Sequence, residues 1–176
     1  MKGQNKSLQD VDTFRRLYER AHIIVYRYIY GSLGGPVQEV EDLTAETFMR
    51  AWKARNRFEG DEDAAIGWLI KIAHNLVIDN YRRKQTHGVD EELEETQLSA
   101  QQTGPEERLL IREQVRILQW LLHNLTPEQH EIIVLRYMLD WPVNRIAEHV
   151  GMLENTVSVS LRRILQRLRD NWPDRY

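Results

Sequence analysis

Apolar residues recur at intervals of three and four along nearly the whole chain. In the N-terminal segment this spacing joins Val11, Phe14, Tyr18, Ala21, Val25 and Tyr28. One face of an α-helix has this period, and the glycines and proline of residues 31–36 are helix breakers. No segment alternates apolar and polar residues over the length of a strand. The pattern therefore predicts an all-α fold.

The second predicted helix has two contrasting faces. Its apolar stripe comprises Val40, Leu43, Thr47, Phe48 and Ala51, and its charged face comprises Glu39, Asp42, Glu46, Arg50 and Lys53. Ala45, Met49 and Trp52 lie along the edge of the charged face. Charged helix faces are commonly solvated, with ion pairs one turn apart, whereas an exposed Met and Trp beside acids favour a partner surface. The spacing alone leaves both interpretations open.

The third predicted helix contains residues 68–84, WLIKIAHNLVIDNYRRK. Its core stripe comprises Ile66, Leu69, Ile70, Ala73, Leu76 and Val77, and a second stripe nearly opposite comprises Trp68, Ile72, Asn75, Asp79 and Arg82. Amide, aromatic and guanidinium groups in one row can hydrogen-bond to bases and stack on them, and the basic end can hold phosphates. The alternative is that Trp68 is a core residue and that Asn75 and Asp79 belong to an ordinary polar face.

Residues 88–104 interrupt the helical pattern. They carry five acidic residues, Asp90, Glu91, Glu92, Glu94 and Glu95, and little apolar content. This composition is typical of a flexible acidic linker. The predicted organisation is therefore two small helical domains, residues 8–87 and 105–172, joined by that linker.

The C-terminal half contains the spacing of a helix-turn-helix. Pro105 opens a helix whose predicted buried stripe is Leu110, Gln114, Ile117 and Leu121, and Thr126-Pro-Glu-Gln129 matches a capping box. Further on, Ala147 lies four residues before Gly151 and Val157 lies six after it. A small residue lets two helices approach, the glycine adopts a left-handed turn cheaply, and the valine anchors the second helix.

The last helix then has an inward and an outward face. The inward residues are Val157, Leu161, Ile164 and Leu168, and the outward ones are Asn155, Ser158, Val159, Arg162, Gln166 and Arg169. Recognition helices read base edges with their first outward residues, and arginines supply phosphate contacts. A helical hairpin with a glycine cap and a solvated arginine face remains the simpler alternative.

Composition changes this picture through the net charge. The chain has 176 residues, no cysteine, a net charge of −3 and a pI of about 6.1. The absence of cysteine fits a cytoplasmic protein, and the sequence has neither a signal-peptide pattern nor an apolar run that could insert into a membrane. Because proteins that bind DNA alone are usually basic, local basic patches or another protein must supply affinity for nucleic acid.

Taken together, these segments resemble the extracytoplasmic-function (ECF, group 4) sigma factors of bacterial RNA polymerase. The resemblance rests on Asp42-Leu-Thr-Ala-Glu-Thr-Phe-Met-Arg-Ala-Trp52, on Trp68-Leu-Ile-Lys-Ile-Ala-His-Asn75 with Asp79 and Tyr81-Arg-Arg83, and on Leu125-Thr-Pro-Glu with Ile146-Ala-Glu-His-Val-Gly151 and Thr156-Val157. It implies that residues 8–87 form sigma region 2 and that residues 105–172 form sigma region 4.

The resemblance also implies specific contacts. Asp42, Glu46 and Met49 would dock on core RNA polymerase. The minus-ten promoter element would be recognised by Phe58, Trp68, Asn75, Asp79, Arg82 and Arg83, and the minus-thirty-five element by Asn155, Thr156, Ser158, Val159, Arg162 and Arg163. An anti-sigma factor is a further implied partner. No cofactor, metal, small-molecule substrate or enzymatic activity is expected.

The chain departs from the family pattern at two places. The family's glutamine after Asp-Leu-Thr is here Ala45, which removes one polar contact to the polymerase. The family's Gly-Thr-Val-Lys-Ser-Arg opening of the recognition helix reads Asn155-Thr-Val-Ser-Val-Ser160. A bidentate arginine contributes about 1–3 kcal/mol of base discrimination, so the loss of these basic residues weakens the transfer of the family's DNA preference to this chain.

Two other functions are weaker interpretations of the sequence. A stand-alone helix-turn-helix regulator would commonly dimerise on a palindrome, but residues 1–85 show no dimerising coiled coil or ligand pocket. A di-metal helical bundle needs two Glu-x-x-His motifs and two further glutamates. Only Glu19-Arg-Ala-His22 has that spacing, and the carboxylates Glu39, Asp42 and Glu46 lie off the predicted core stripe.

Overall fold

The described part of the chain is helical in two separate units. The computed structural model describes residues 8–87 and 104–173, and the chain divides into compact units at residues 1–92 and 93–176. All regular elements in the described ranges are helices, which confirms the all-α prediction. The predicted flexible linker, residues 88–104, lies outside the described residues except for Gly104.

Residues 8–87, the described part of the first unit, form a bundle of three helices, α1 (Val11–Leu33), α2 (Val37–Ala54) and α3 (Glu62–His87), with a short 3-10 helix, Arg55–Arg57, after α2. Helix α1 ends within the predicted breaker segment. Gly34 there adopts a left-handed conformation with φ 60°, and its amide donates to the Tyr30 carbonyl at 2.8 Å. A glycine takes this conformation without the steric penalty of a Cβ atom.

The core of this unit consists largely of the predicted stripes. The stripe residues of α2 and of α3 named from the sequence are all buried. The buried hydroxyls of Thr44 and Thr47 donate to carbonyls one turn earlier, at 2.7 and 2.8 Å, so neither is left unsatisfied. The α1 stripe was wrong at Val11 and Tyr18, which are both exposed.

A polar cluster ties the start of α2 to the end of α3. Glu39 accepts a hydrogen bond from Asn80 Nδ2 at 2.9 Å and pairs with Lys84 Nζ at 2.7 Å. The side chains of Glu39 and Lys84 are each only 22% exposed. Tyr81 adds a hydrogen bond to the Ser32 carbonyl at 2.7 Å. The last turns of α3 are therefore fixed to the turn between α1 and α2.

Glu39→Ala should loosen the end of α3. The change removes the ion pair of Lys84 with Glu39 and the hydrogen bond that Asn80 Nδ2 donates to Glu39, both partly buried, which costs about 1–3 kcal/mol. Native-state hydrogen exchange at the α3 amides measures this opening free energy in the full chain. Glu46→Ala is the control on the same helix, because the Glu46–Arg50 pair is more exposed and its loss costs at most about 1 kcal/mol. Equal effects would contradict the assigned role of Glu39.

Residues 104–173, the described part of the second unit, contain four helices, α4 (Pro105–His123), α5 (Pro127–Tyr137), α6 (Val143–Val150) and α7 (Glu154–Asp170). The capping box is confirmed: Thr126 Oγ1 accepts from the Gln129 amide at 3.3 Å, and Gln129 Oε1 accepts from the Thr126 amide at 3.2 Å. The core is built mainly from α5, α6 and α7, and its buried residues are Ile132, Ile133, Val134, Leu135, Ile146, Ala147, Val157, Leu161 and Ile164.

The predicted core stripe of α4 is wrong over most of its length. Leu121 is buried, but Leu110 is 49% exposed and Gln114 and Ile117 are only half-buried. The apolar residues of α4 are spread around the helix, and Leu109, Leu118 and Trp120 are also exposed. Sequence periodicity therefore overestimated how much of α4 the three-helix core covers.

The helix-turn-helix prediction is confirmed in its local geometry. Gly151 ends α6 in a left-handed conformation with φ 71°, and the Met152 amide donates to the Ala147 carbonyl at 2.9 Å. Ala147 and Val157 are both buried where α6 and α7 pack together. An earlier turn, between α5 and α6, uses Asp140 with φ 53° and inserts the buried Trp141.

Lowering the pH should destabilise this unit through His130. Burial, and secondarily the nearby His123, lowers the pKa of His130 below 6.5, although Glu131 acts in the opposite direction. The unfolded chain therefore binds this proton more readily, so folding stability falls as the pH drops through the ordinary histidine range towards the folded pKa. The slope from one group is at most about 1.4 kcal/mol per pH unit.

Urea titrations at several pH values, followed through the amide NMR signals of α5, measure this dependence. His130→Gln should flatten the slope relative to the unchanged protein, because glutamine does not titrate. The difference between the two curves isolates His130 from the other histidines. Identical slopes would contradict the assignment.

Candidate functional site

Three of the predicted contact residues share one exposed face of α2. Asp42, Glu46 and Met49 follow one another at helical spacing, and Met49 is 53% exposed. Gln38 Nε2 donates weakly to Asp42 at 3.4 Å, and Arg50 pairs with Glu46 at 2.8 Å. We call these three residues the acidic face. It presents two carboxylates and a thioether on a helix that the core holds rigidly.

Trp52 does not extend the acidic face as the sequence suggested. Its ring packs edge-on against Phe14 with 5.0 Å between centroids, and the Arg55 guanidinium lies 3.6 Å from the ring centroid. Arg55 also donates to the Trp52 carbonyl at 2.7 Å, which helps to end α2. Met49 and Trp52 were both predicted to be exposed. Only Met49 is exposed, because Phe14 of α1 packs against the Trp52 ring.

An aromatic pair lies at the start of the second stripe of α3, the stripe opposite its core stripe. The rings of Phe58 and Trp68 are 4.9 Å apart and tilted by 33°, and both side chains are half-buried. Phe58 lies in the loop before α3, where a Cβ on Gly60 would come within 2.9 Å of the Phe58 ring. Asp61 caps α3 by accepting from the Ala64 amide at 2.8 Å. The loop therefore places Phe58 against Trp68, which lies in the second turn of α3.

The remaining predicted residues of α3 continue the same stripe. Asn75, Asp79, Arg82 and Arg83 are all exposed, and Arg83 donates to Asn80 at 3.3 Å. From residue 68 to residue 82 the helix rises by about 21 Å. This outer stripe, defined as Phe58, Trp68, Asn75, Asp79, Arg82 and Arg83, offers rings at one end and guanidinium groups at the other. Such a row can stack bases and hold phosphates.

Helix α7 exposes all but one of the residues predicted to contact the minus-thirty-five element. Asn155, Thr156, Ser158, Arg162 and Arg163 are exposed and Val159 is half-buried, whereas Val157, Leu161 and Ile164 are buried. Leu153, immediately before α7, is 76% exposed. Sequence reasoning missed it because the count of outward positions began at Asn155. The start of α7 thus combines an amide, hydroxyls and apolar side chains, followed by a pair of arginines.

A cleft between α1 and α2 was not foreseen from the sequence. Its volume is about 230 Å³, and it is lined by Tyr18, His22, Tyr26, Glu41, Thr44, Ala45 and Phe48. Tyr18, His22 and Tyr26 are spaced by four residues on α1, a pattern that also fits a core stripe. The sequence signal for the cleft was this repeat of ring side chains on one side of α1. We call this feature the aromatic cleft.

The described residues also bear on metal binding and on membrane insertion. No group of three or more His, Cys, Asp or Glu side chains in residues 8–87 and 104–173 could hold a metal ion. In those same ranges, no helix combines the length and the apolar character needed to cross a membrane.

Comparisons with known proteins identify both units. The family Sigma-70 region 2 matches residues 14–87, and the family Sigma-70, region 4 matches residues 116–168. The ECF RNA polymerase sigma factor BldN of Streptomyces coelicolor is 30% identical over 165 residues, covering 94% of this chain and 62% of that protein. The ECF RNA polymerase sigma factor SigL of Mycobacterium tuberculosis is 28% identical over 160 residues, covering 88% and 86% respectively.

A solved structure shows the same fold. The sigma factor RpoE of Bartonella quintana, crystallised with the anti-sigma factor NepR, superimposes with a TM-score of 0.67 at 18% identity, covering 94% of this chain and all of that one. In this chain the region 2 match lies in the first helical unit and the region 4 match in the second. The curated relatives named above are ECF sigma factors. This chain therefore belongs to the ECF sigma factors of the sigma-70 family.

Proposed function

We propose that this chain is an alternative sigma factor that binds core RNA polymerase and directs it to promoters. Residues 8–87 act as region 2, residues 105–172 act as region 4, and residues 88–104 tether them. The observation that carries the proposal is the ordered match of both regions to two separate helical units, each with an exposed face suited to binding.

The acidic face is the proposed contact with core polymerase. The exposed Asp42 carboxylate and the half-buried Glu46 carboxylate complement a basic partner surface, and complementary charges increase both the association rate and the specificity of a complex. Met49 supplies an adaptable apolar contact beside them. The packing of α2 against α1 and α3 supports this role, because the face needs no rearrangement before it binds.

The outer stripe of α3 is the proposed contact with the minus-ten element. An unpaired base can stack on Phe58 and Trp68, which α3 and the preceding loop hold at 4.9 Å. Asn75 and Asp79 can then hydrogen-bond to base edges, while Arg82 and Arg83 neutralise phosphates of the opened strand. One helix thereby combines core packing on one side with capture of single-stranded DNA on the other.

Helix α7 is the proposed contact with the minus-thirty-five element. Asn155, Thr156, Ser158 and Val159 lie near its N-terminus, the part of a recognition helix that reads base edges in the major groove. Arg162 and Arg163 follow one turn later and can contact phosphates or guanine. Because the opening residues differ from the family pattern, we expect a promoter preference of the chain's own.

The charge of the chain explains why it would need the polymerase. With a net charge of −3, the free protein has little general attraction for DNA. Core polymerase then supplies phosphate contacts, and the sigma factor supplies selection and strand opening. This role requires no catalytic chemistry or cofactor from the chain and places its work in the cytoplasm. An anti-sigma factor is a further proposed partner, by analogy with the Bartonella quintana protein.

Run-off transcription with purified core polymerase on genomic promoter fragments tests the proposal. The chain should produce discrete transcripts that core polymerase alone does not make. A stand-alone regulator would instead bind specific DNA without polymerase and would program no transcript. That outcome would refute the sigma-factor role.

A further inference from the structure

The aromatic cleft combines three features that suit a cationic side chain. Its walls include Tyr18, Tyr26 and Phe48, and the Tyr18 and Phe48 rings are 4.8 Å apart. The Glu41 carboxylate at its edge is exposed, and no described residue pairs with it. A guanidinium or ammonium group is attracted to aromatic rings within about 6 Å and to a carboxylate beside them.

The size of the cleft favours a side chain over a free ligand. Its volume of about 230 Å³ lies below the range of about 300–1,000 Å³ that is usual for small-molecule pockets. It is also open at the surface, since Tyr18 is 44% exposed and His22 and Ala45 are exposed. A protruding side chain of a protein partner can therefore enter it without displacing any helix.

The position of the cleft indicates which partner enters it. Ala45 lines the cleft and is one helical turn from both Asp42 and Met49 of the acidic face. A protein that covers the acidic face is therefore within one helical turn of a residue that lines the cleft. The carboxylates of Glu41, Asp42 and Glu46 all favour a basic surface on that protein.

We infer that the aromatic cleft receives an arginine side chain of the core polymerase surface that docks on the acidic face. This inference rests on the proposed function and extends the docking surface from α2 onto α1. Arginine is favoured over lysine because its planar guanidinium can stack on a ring while it pairs with a carboxylate. The small, exposed side chain of Ala45 leaves the cleft open on this side.

A matched pair of substitutions at Tyr18 tests the chemistry. Tyr18→Phe keeps the ring, whereas Tyr18→Leu keeps apolar bulk but removes the ring. Affinity for purified core polymerase, measured by fluorescence anisotropy of the labelled chain, should stay within about twofold for Tyr18→Phe. It should fall by about fivefold to thirtyfold for Tyr18→Leu. Equal affinities for the two variants, whether both high or both low, would overturn the inference.

A substitution at Ala45 tests the location independently. Ala45→Trp fills the mouth of the cleft from an exposed position, so the fold should be retained, and core affinity should fall at least about tenfold. Ile23→Trp, which places the same side chain at an exposed position of α1 that does not line the cleft, is the matched control and should bind as the unchanged chain does. If Ala45→Trp binds normally, nothing enters the cleft and the inference fails while the docking proposal stands. If the unchanged chain fails to bind core polymerase, the proposed function itself is wrong.

Discussion

Asp42→Arg is expected to abolish detectable binding of the chain to core RNA polymerase. The change replaces the exposed Asp42 carboxylate of the acidic face by a cation, so attraction to a basic partner becomes repulsion. Coupling energies of close charge pairs in interfaces are about 1.5–7 kcal/mol, and reversal should lower the affinity at least about a hundredfold. Fluorescence anisotropy with purified core polymerase measures the loss.

Stability should not change with this substitution. Asp42 is exposed, and within residues 8–87 its side chain accepts only the long hydrogen bond from Gln38 at 3.4 Å. Thermal unfolding of the variant should therefore match that of the unchanged chain. Glu19→Arg, an exposed charge reversal on α1 that loses only a 4.0 Å pair with Arg15, is the control and should bind core polymerase normally. Full binding by Asp42→Arg would show that the acidic face does not dock.

Trp68→Ala is expected to impair promoter opening more than any other change in the outer stripe. It removes the larger ring of the Phe58–Trp68 pair, and a base stacked on an aromatic side chain contributes about 1–3 kcal/mol. The yield of open complex should therefore fall by about fivefold to 150-fold. Permanganate footprinting of unpaired thymines in the minus-ten region, with the variant bound to core polymerase, measures that yield.

Two controls separate stacking from folding in this experiment. Trp68→Phe keeps an aromatic ring beside Phe58 and should recover most of the open complex. Trp68→Ala should still bind core polymerase with normal affinity, because the acidic face lies on α2 and Trp68 on α3. Normal footprints from Trp68→Ala would show that the outer stripe plays no part in promoter opening. A parallel loss of core binding would instead indicate a folding defect.

The sequence was most informative where one residue type satisfies one local requirement. The period of the α2 and α3 stripes identified their buried faces correctly because both helices pack along their full apolar side. Gly151 and the Thr126–Gln129 capping box were predictable because few residues can take a left-handed turn or bond reciprocally to a helix start. The outward residues of α7 followed from the same angular count once Val157 was placed inward.

Sequence reasoning failed where the outcome depended on which neighbour was present. Leu110 has the spacing of a core residue but is exposed, because the core of α5, α6 and α7 does not extend along α4. Trp52 looked like an interface residue but packs on Phe14 of another helix. Tyr18 and Leu153 were likewise misjudged or missed, since periodicity gives the angle of a side chain and not what lies opposite it.

The sequence by itself determined that this protein is helical, that it has two units with an acidic segment between them, and that it carries the motifs of an ECF sigma factor. These properties follow from local periodicity, turn chemistry and residue type, which act over a few residues. Only the tertiary structure decided that Phe58 meets Trp68, that Glu39 holds the end of α3, and that rings of α1 form a cleft beside the acidic face. Those features join residues far apart in the chain, and their geometry exists only once the helices have packed.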